Sequence, residues 1–89
     1  MKCYVYILYS AAFDKYYIGQ TQDIADRLSR HNGGQVKSTK AYKPWLLKFC
    51  LEKENRGEAM TLERTLKNLS KVRLIDFIAR YTEDNSISK

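Results

Sequence analysis

The sequence predicts an α+β fold, in which helices cover one small, mostly antiparallel sheet in the order ββαβαα. Three short runs rich in aromatic and β-branched residues have the composition of strands. Three further segments repeat apolar residues at helical spacing. With 89 residues, we expect one domain over residues 1–81 and a frayed polar tail over residues 82–89.

The first two elements predict a hairpin. The run CYVYILY makes Cys3–Tyr9 a strand, with Tyr4, Tyr6 and Leu8 on one face and Cys3, Val5, Ile7 and Tyr9 on the other. After a turn over Ser10–Asp14, Lys15–Gln20 forms a second strand, on which Tyr17 and Gly19 share a face.

A helix of about three turns follows the hairpin. Thr21 is the predicted N-cap, Asp23 lies in the first turn, and the Gly33-Gly34 pair ends the helix. Asp23, Arg27 and His31 recur at four-residue spacing, so they lie on one side of it.

The second half supplies one strand and two helices. Pro44 opens a strand over Trp45–Glu52, with Trp45, Leu47, Phe49 and Leu51 on one face. The helix Glu58–Leu69 has an apolar stripe of Ala59, Leu62, Leu66 and Leu69. Ser70 caps a last helix that runs to about Tyr81 and is predicted to be buried through Val72, Ile75 and Ile78.

Composition excludes several classes of protein. No apolar run approaches the ~18–20 residues of a membrane span, and the first residues lack the layout of a signal peptide. Cys3 and Cys50 are too few for a disulfide scaffold, and no Cys-His cluster has zinc spacing. We therefore expect reduced thiols in a cytoplasmic protein.

Positive charge is concentrated in the middle of the chain. Lys and Arg number 16 against 10 Asp and Glu, a net charge of +6. No carboxylate occurs between Arg27 and Leu51, a stretch that carries Arg27, Arg30, Lys37, Lys40, Lys43 and Lys48. Such a segment is typical of contact with a phosphate backbone, or it is simply a solvated basic face.

Glu63 is the most informative candidate for chemistry. It flanks the apolar stripe of its helix, where a carboxylate is costly unless it is paired or binds a metal. It could equally be a rim residue that pairs with Lys67 one turn later, which contributes only about 0.3–0.5 kcal/mol.

Tyr6 and Tyr17 come from adjacent strands and can point to the same face. Each could be packing, because the chain has 7 tyrosines and tyrosine often fills a core rim. A phenol has a pKa of about 10 and is a poor base alone, although nearby cations lower the cost of losing its proton. Arg27 and His31 suit phosphate recognition and proton handling, but Arg27 could simply pair with Asp23.

The ordered set of motifs resembles the GIY-YIG nuclease superfamily over residues 2–80. The set comprises VYIL, YYIGQT, an Arg ten residues after Tyr17, then His-Asn-Gly-Gly and a Glu on a later helix, and the basic STKAYKPW stretch also fits. It is most similar to the small stand-alone members, which are like the nuclease domain of excision-repair proteins. Tyr17-Ile18-Gly19 is intact, whereas Tyr4 stands where the glycine of the first motif would be.

The resemblance implies a three-stranded antiparallel sheet flanked by helices and a divalent-metal-dependent endonuclease acting on nucleic acid, with DNA and DNA repair as the expected context. It makes Tyr6, Tyr17, Arg27, His31 and Glu63 the catalytic residues, with Glu63 binding Mg²⁺ or Mn²⁺. Arg30, Lys37, Lys40 and Lys43 are the residues expected to bind the nucleic-acid backbone.

Two departures bear on catalytic efficiency rather than on fold. Gln20 stands where more elaborate members often carry a lysine, and a polar residue of the last helix in some members has no clear match. A bare catalytic unit also suggests a protein partner that supplies target recognition. The alternatives are a catalytically weak nucleic-acid-binding module of the same fold, and a protein-interaction domain that presents Trp45, Phe13 and tyrosines as an apolar surface.

Overall fold

The structure, a computed structural model, describes residues 2–87 and confirms the α+β order ββαβαα. The strands are β1 (Cys3–Ser10), β2 (Lys15–Thr21) and β3 (Leu46–Lys53), and the helices are α1 (Ile24–Asn32), α2 (Arg56–Lys67) and α3 (Lys71–Ile87). A short 3₁₀ turn over Lys40–Tyr42 precedes β3. The sheet is antiparallel throughout with strand order β2-β1-β3, so β1 is the central strand.

The central strand is buried on both faces, because helices cover the sheet from both sides. One apolar layer, here called the α2–α3 layer, contains Cys3, Val5 and Ile7 together with the apolar faces of helices α2 and α3. The opposite layer, here called the α1 layer, contains Tyr6, Leu8 and Trp45 with residues of α1. The alternation predicted for β1 is therefore confirmed, and Tyr6 lies in the α1 layer.

Strand β3 contributes to both layers because of a β-bulge. Ile7 pairs with Phe49 but Leu8 pairs with Leu47, so Lys48 is the extra residue. The bulge reverses the alternation, so that Phe49 packs in the α2–α3 layer while Trp45 packs in the α1 layer. The prediction that Trp45, Leu47, Phe49 and Leu51 share one face is wrong for this reason. Leu51 stays with Phe49, and Leu47 is largely exposed.

The start of α1 differs from the prediction. Asp23, not Thr21, is the N-cap, because the Asp23 carboxylate accepts the N–H of Asp26 at 3.0 Å. Thr21 instead ends β2, and its hydroxyl oxygen accepts the N–H of Asp23 at 3.2 Å. Asp23 thus precedes the first turn rather than lying within it.

Helix α2 begins two residues earlier than predicted, because Asn55 caps it by accepting the N–H of Glu58 at 2.9 Å. Its predicted stripe is confirmed: Ala59 and Leu66 are buried, and Leu62 and Leu69 pack against the same layer.

Helix α3 turns a different face to the sheet from the one predicted. Val72 is 77% exposed and Ile75 is 45% exposed, so those two predictions are wrong. The packed stripe consists of Leu74, Phe77, Ile78 and Tyr81. Ser70 does act at the start of the helix, since its hydroxyl accepts the N–H of Arg73 at 3.3 Å.

The last helix also extends past its predicted end at Tyr81, to Ile87. Fraying of residues 82–89 stays a prediction, and Ser88 and Lys89 lie outside the described residues. Cys3 and Cys50 are both free thiols. Among residues 2–87, no helix is both long and apolar enough to cross a membrane.

Candidate active site

Two phenols meet in the α1 layer. Tyr6 on β1 and Tyr17 on β2 have ring centroids 6.3 Å apart. Tyr6 is only 2% exposed, whereas Tyr17 is half-buried. The shared face predicted for these strands is therefore confirmed.

Gly19 makes room for Tyr6. A Cβ atom at this position would lie 2.6 Å from the Tyr6 hydroxyl oxygen and 2.8 Å from Cζ. Both distances are shorter than any non-bonded carbon contact tolerates. The Tyr6 ring thus crosses the backbone of the edge strand, which only a residue without a side chain permits.

Helix α1 adds a histidine and an arginine to the phenols. His31 is 0% exposed, and its Nε2 lies 3.0 Å from the Tyr6 hydroxyl oxygen. On the other side of the ring, Nδ1 lies 2.8 Å from Oγ1 of Thr39, which is also buried. Arg27 lines the same small cavity as Tyr6, and its positive charge acts on the Tyr6 hydroxyl. Arg27 and His31 share one side of α1, as predicted.

Burial dominates the protonation states of this cluster. It raises the pKa of Tyr6 to about 12, and Tyr17 and Glu63 add to the rise while the Arg27 guanidinium opposes it. Burial, followed by the positive charge of Arg27, lowers the pKa of His31 from its ordinary value of 6.5. At neutral pH the resting cluster therefore contains a neutral phenol and a neutral imidazole.

Glu63 approaches the edge strand from the opposite face of the sheet. Its Oε1 accepts the amide N–H of Gln20 at 2.8 Å, and its Oε2 pairs with the Lys67 ammonium at 2.8 Å. The Cys3 thiol donates to Gln20 Oε1 at 3.3 Å, which orients the amide so that its nitrogen faces Glu63. The ion pair with Lys67 that the sequence suggested is therefore present, and the carboxylate also lines a cavity, while metal binding by Glu63 stays a prediction.

That cavity has a volume of about 350 Å³ and is open to solvent. Its lining is Gln20, Met60, Glu63, Arg64, Lys67 and Asn68. The Glu63 side chain is 17% exposed, so the carboxylate remains accessible from the cavity. A carboxylate and cationic side chains around an open cavity are groups that can contact a metal ion and a phosphate.

The group of Tyr6, Tyr17, Arg27 and His31 lies on one side of strand β2, and Glu63 lies on the other. Gly19 and Gln20 are consecutive, so they face opposite sides of this edge strand. Glu63 is near enough to Tyr6 for its negative charge to raise the phenol's pKa. The structure therefore brings Tyr6, Tyr17, Arg27 and His31 into direct proximity, with Glu63 across the strand edge.

Comparison with known proteins identifies the family. The model of the GIY-YIG catalytic domain matches residues 2–75, most of the chain. The chain belongs to the GIY-YIG family. The matched range includes Tyr4-Val5-Tyr6 and Tyr17-Ile18-Gly19, the segments that place both phenols.

The chain is similar to proteins that carry the name UPF0213. The chain is 33% identical over 88 residues to a UPF0213 protein of Streptococcus pneumoniae serotype 4, covering 98% of this chain and 88% of that protein. A UPF0213 protein of Streptococcus pneumoniae strain R6 is 32% identical with the same coverage. The solution NMR structure of a UPF0213 protein from Bacillus halodurans matches with a TM-score of 0.58 and 30% identity, covering 89% of this chain and 84% of that chain.

Glu63 is the one carboxylate among the five candidate catalytic residues. Within residues 2–87, no group of three or more His, Cys, Asp or Glu side chains converges on one point. Mg²⁺ keeps several waters and is commonly held by one or two carboxylates plus substrate phosphates. A partly exposed glutamate in a cavity of about 350 Å³ fits that mode of binding, with Lys67 as the competing cation.

The four basic residues predicted to bind the nucleic-acid backbone are exposed, on α1 and in the loop that follows it. Arg30 pairs with Asp26 one turn earlier, with Nε and Oδ2 2.9 Å apart. Lys40 and Lys43 both approach Gly34, and Lys37 is exposed in the same loop. These positions are compatible with a surface that follows a phosphate backbone.

Trp45 is 3% exposed, so it cannot present the apolar docking surface that the protein-interaction alternative assigned to it. Its indole N–H donates to the Thr39 carbonyl at 3.0 Å, and the Asn32 side chain binds its backbone N–H and C=O. Trp45 therefore fixes the loop beneath the site. Phe13 remains half-exposed on the β1–β2 turn.

Thr39 is the residue of the site that sequence reasoning missed. It lies in the STKAYKPW stretch, from which the sequence prediction used only the basic charge. Its relevance appears only once the loop folds back over His31.

Proposed function

We propose that this protein is a divalent-metal-dependent endonuclease that hydrolyses phosphodiester bonds in nucleic acid, with DNA as the expected substrate. The observation that carries the proposal is the buried Tyr6–His31 pair, with Arg27 beside it and Glu63 across the strand edge. Membership in a family of catalytic domains supports it.

Tyr6 and His31 would handle the proton of the attacking water. The raised pKa of Tyr6 makes a resting phenolate costly, so Tyr6 has to pass its proton on as it accepts another. The neutral His31 Nε2 is the acceptor within reach. As the water oxygen bonds to phosphorus, its proton moves to Tyr6, the proton of Tyr6 moves to His31, and the leaving 3′ oxygen takes a proton from solvent.

Arg27 and Tyr17 would act around the phosphate. The Arg27 guanidinium neutralises charge that develops on the phosphoryl oxygens. Tyr17 is more exposed than Tyr6 and its ring lies 4.9 Å from that of His31, so it can position the water from the solvent side.

Glu63 would hold Mg²⁺ or Mn²⁺ in the open cavity. Such an ion polarises the phosphate and stabilises the leaving oxygen when it is bound. Gln20 keeps one carboxylate oxygen oriented, while Lys67 releases the other and remains nearby as a phosphate contact.

The basic loop would supply affinity without sequence preference. Arg30, Lys37, Lys40 and Lys43 contact the backbone, and we expect a protein partner to provide target selection. Each phosphate neutralised on duplex DNA contributes about 0.9 to the slope of log affinity against log salt, so binding should weaken steeply with salt.

The test is cleavage of supercoiled plasmid by purified protein over a series of Mg²⁺ and Mn²⁺ concentrations. Glu63→Gln and Arg27→Ala should abolish nicking while their circular dichroism spectra stay native. Glu58→Gln on the same helix and Arg80→Ala on α3 are matched controls, because both residues are exposed and neither lines the cavity at Glu63 or the one at Tyr6. Equal nicking by Glu63→Gln would place the activity in a contaminant or at another site.

A second candidate is a nucleic-acid-binding module of the same fold with negligible catalysis. It is favoured by the state of Glu63, whose two oxygens are already engaged by Gln20 and Lys67. Salt-sensitive binding without cleavage at any metal concentration would support this alternative over the nuclease.

A further inference from the structure

Thr39 is buried directly behind His31 and held on two sides. The residue is 1% exposed, and its Oγ1 lies 2.8 Å from Nδ1 of His31. Its carbonyl accepts the indole N–H of Trp45 at 3.0 Å. The hydroxyl is therefore fixed relative to the imidazole by packing as well as by the hydrogen bond.

The direction of hydrogen bonding at Thr39 follows from its second partner. The Thr39 hydroxyl donates to the carbonyl of Val36 at 3.4 Å, and a carbonyl can only accept. A hydroxyl has one proton, so the contact with His31 uses a lone pair of Oγ1. The donor in that contact is then Nδ1–H of the imidazole.

The other side of the imidazole ring follows from this direction. A neutral imidazole carries one proton, so a proton on Nδ1 leaves Nε2 bare. The proton of Tyr6 then points to Nε2 of His31, 3.0 Å away, which must carry no proton. The contacts of Thr39 thus place the proton of the imidazole on Nδ1.

We propose that Thr39 is a positioning residue that holds His31 in the Nδ1–H tautomer, so that Nε2 stays free to accept the proton of Tyr6. The tautomer is a property of the folded chain, whereas its catalytic consequence rests on the proposed nuclease function. The titratable and charged groups that face His31 are Tyr6 from β1, Tyr17 from β2 and Arg27 from α1.

The test is nitrogen NMR of the His31 ring, the single histidine of the chain, in the wild type, Thr39→Val and Thr39→Ser. Wild type and Thr39→Ser should show a proton on Nδ1 and a bare Nε2 at pH 7.5. Thr39→Val keeps the shape but removes the acceptor, so its proton should move to Nε2. A wild-type spectrum with the proton on Nε2, or an unchanged tautomer in Thr39→Val, would overturn the proposal. If Thr39→Val does not fold, the wild-type and Thr39→Ser spectra still decide the tautomer.

The nuclease assay then separates the two proposals. Thr39→Val should lower kcat by about 10- to 100-fold, by analogy with the loss seen when the hydrogen-bond partner of a metal-binding histidine is removed. It should also shift the acid limb of the pH–rate profile, and Thr39→Ser should restore both. Absence of cleavage by the wild type would refute the proposed function, whereas the NMR spectra would still test the tautomer of His31 independently.

Discussion

Gly19→Ala is the sharpest test of the geometry of the cluster. The new Cβ would lie 2.6 Å from the Tyr6 hydroxyl oxygen, and ordinary contact begins at 3.4 Å. The hydroxyl therefore has to move by about 0.8 Å. Its 3.0 Å hydrogen bond to His31 has little room to lengthen, since such bonds rarely exceed about 3.2 Å. His31 cannot follow, because it is fully buried and held by Thr39.

The expected cost follows from three opposing contributions. Overpacking destabilises by about 1–3 kcal/mol, and the lost hydrogen bond adds about 0.5–1.5 kcal/mol. The smaller entropy of the unfolded alanine chain offsets about 0.4–1 kcal/mol. The free energy of unfolding should fall by about 2 kcal/mol, which shifts the urea midpoint by about 2 M if the denaturant slope is about 1 kcal/mol/M.

Two variants make the Gly19 experiment decisive. Gly57→Ala lies in an exposed part of α2 and places its Cβ 3.3 Å from the capping Oδ1 of Asn55, so the gain in helix propensity is offset by a small shift of the cap and the net change should stay within about 0.5 kcal/mol. In a Tyr6→Phe background the nearest remaining atom is Cζ at 2.8 Å and no hydroxyl bond can be lost, so Gly19→Ala should cost only about 1 kcal/mol. Wild-type stability of Gly19→Ala would refute the claim that Tyr6 crosses the strand at this residue.

Three further predictions follow from the hydrogen bonds and ion pairs of the site. The pKa of folded His31 lies below its unfolded value of 6.5, so unfolding takes up a proton and stability should fall as pH drops below about 6.5; urea unfolding between pH 5 and 8 should show this slope, and His31→Gln should flatten it. Lys67→Met should tighten Mn²⁺ binding in calorimetric titrations by removing the cation that pairs with Glu63, and undiminished binding by Glu63→Gln would contradict this site. Asn32→Ala should destabilise by about 2 kcal/mol, because two backbone groups of Trp45 lose their partner; Asn32→Asp, which retains only the acceptor, should cost less, and equal costs would refute the two-bond account.

The strands and the phenol–imidazole cluster were largely predictable from the sequence. Alternation along β1 placed Tyr6 on one face, and four-residue spacing placed Arg27 and His31 on one side of α1. These signals are local, since each depends only on the repeat of one regular element. The resemblance to GIY-YIG proteins added the assignment of roles, which spacing alone left open.

The wrong or missing predictions concern features that are determined by packing between elements distant in the sequence. The bulge at Lys48 exists only in the pairing of β3 with β1, so no alternation within β3 could reveal it. Helix α3 has apolar residues on more than one side, and contact with the sheet selected Leu74 and Phe77 over Val72 and Ile75. Thr39 acquires its role from a loop that folds back over His31, which sequence periodicity cannot show.

Strand β2 at the edge of the sheet separates two sets of residues. Those proposed to transfer the proton lie in the α1 layer, and Glu63 lies on the opposite face. Substitutions beneath α1 would disturb the path of the proton but leave the carboxylate in place. Substitutions beneath α2 would shift the carboxylate and spare that path. Under the proposed mechanism, selection can therefore change metal-ion affinity and proton transfer separately, although only the backbone of one strand lies between the two sets of residues.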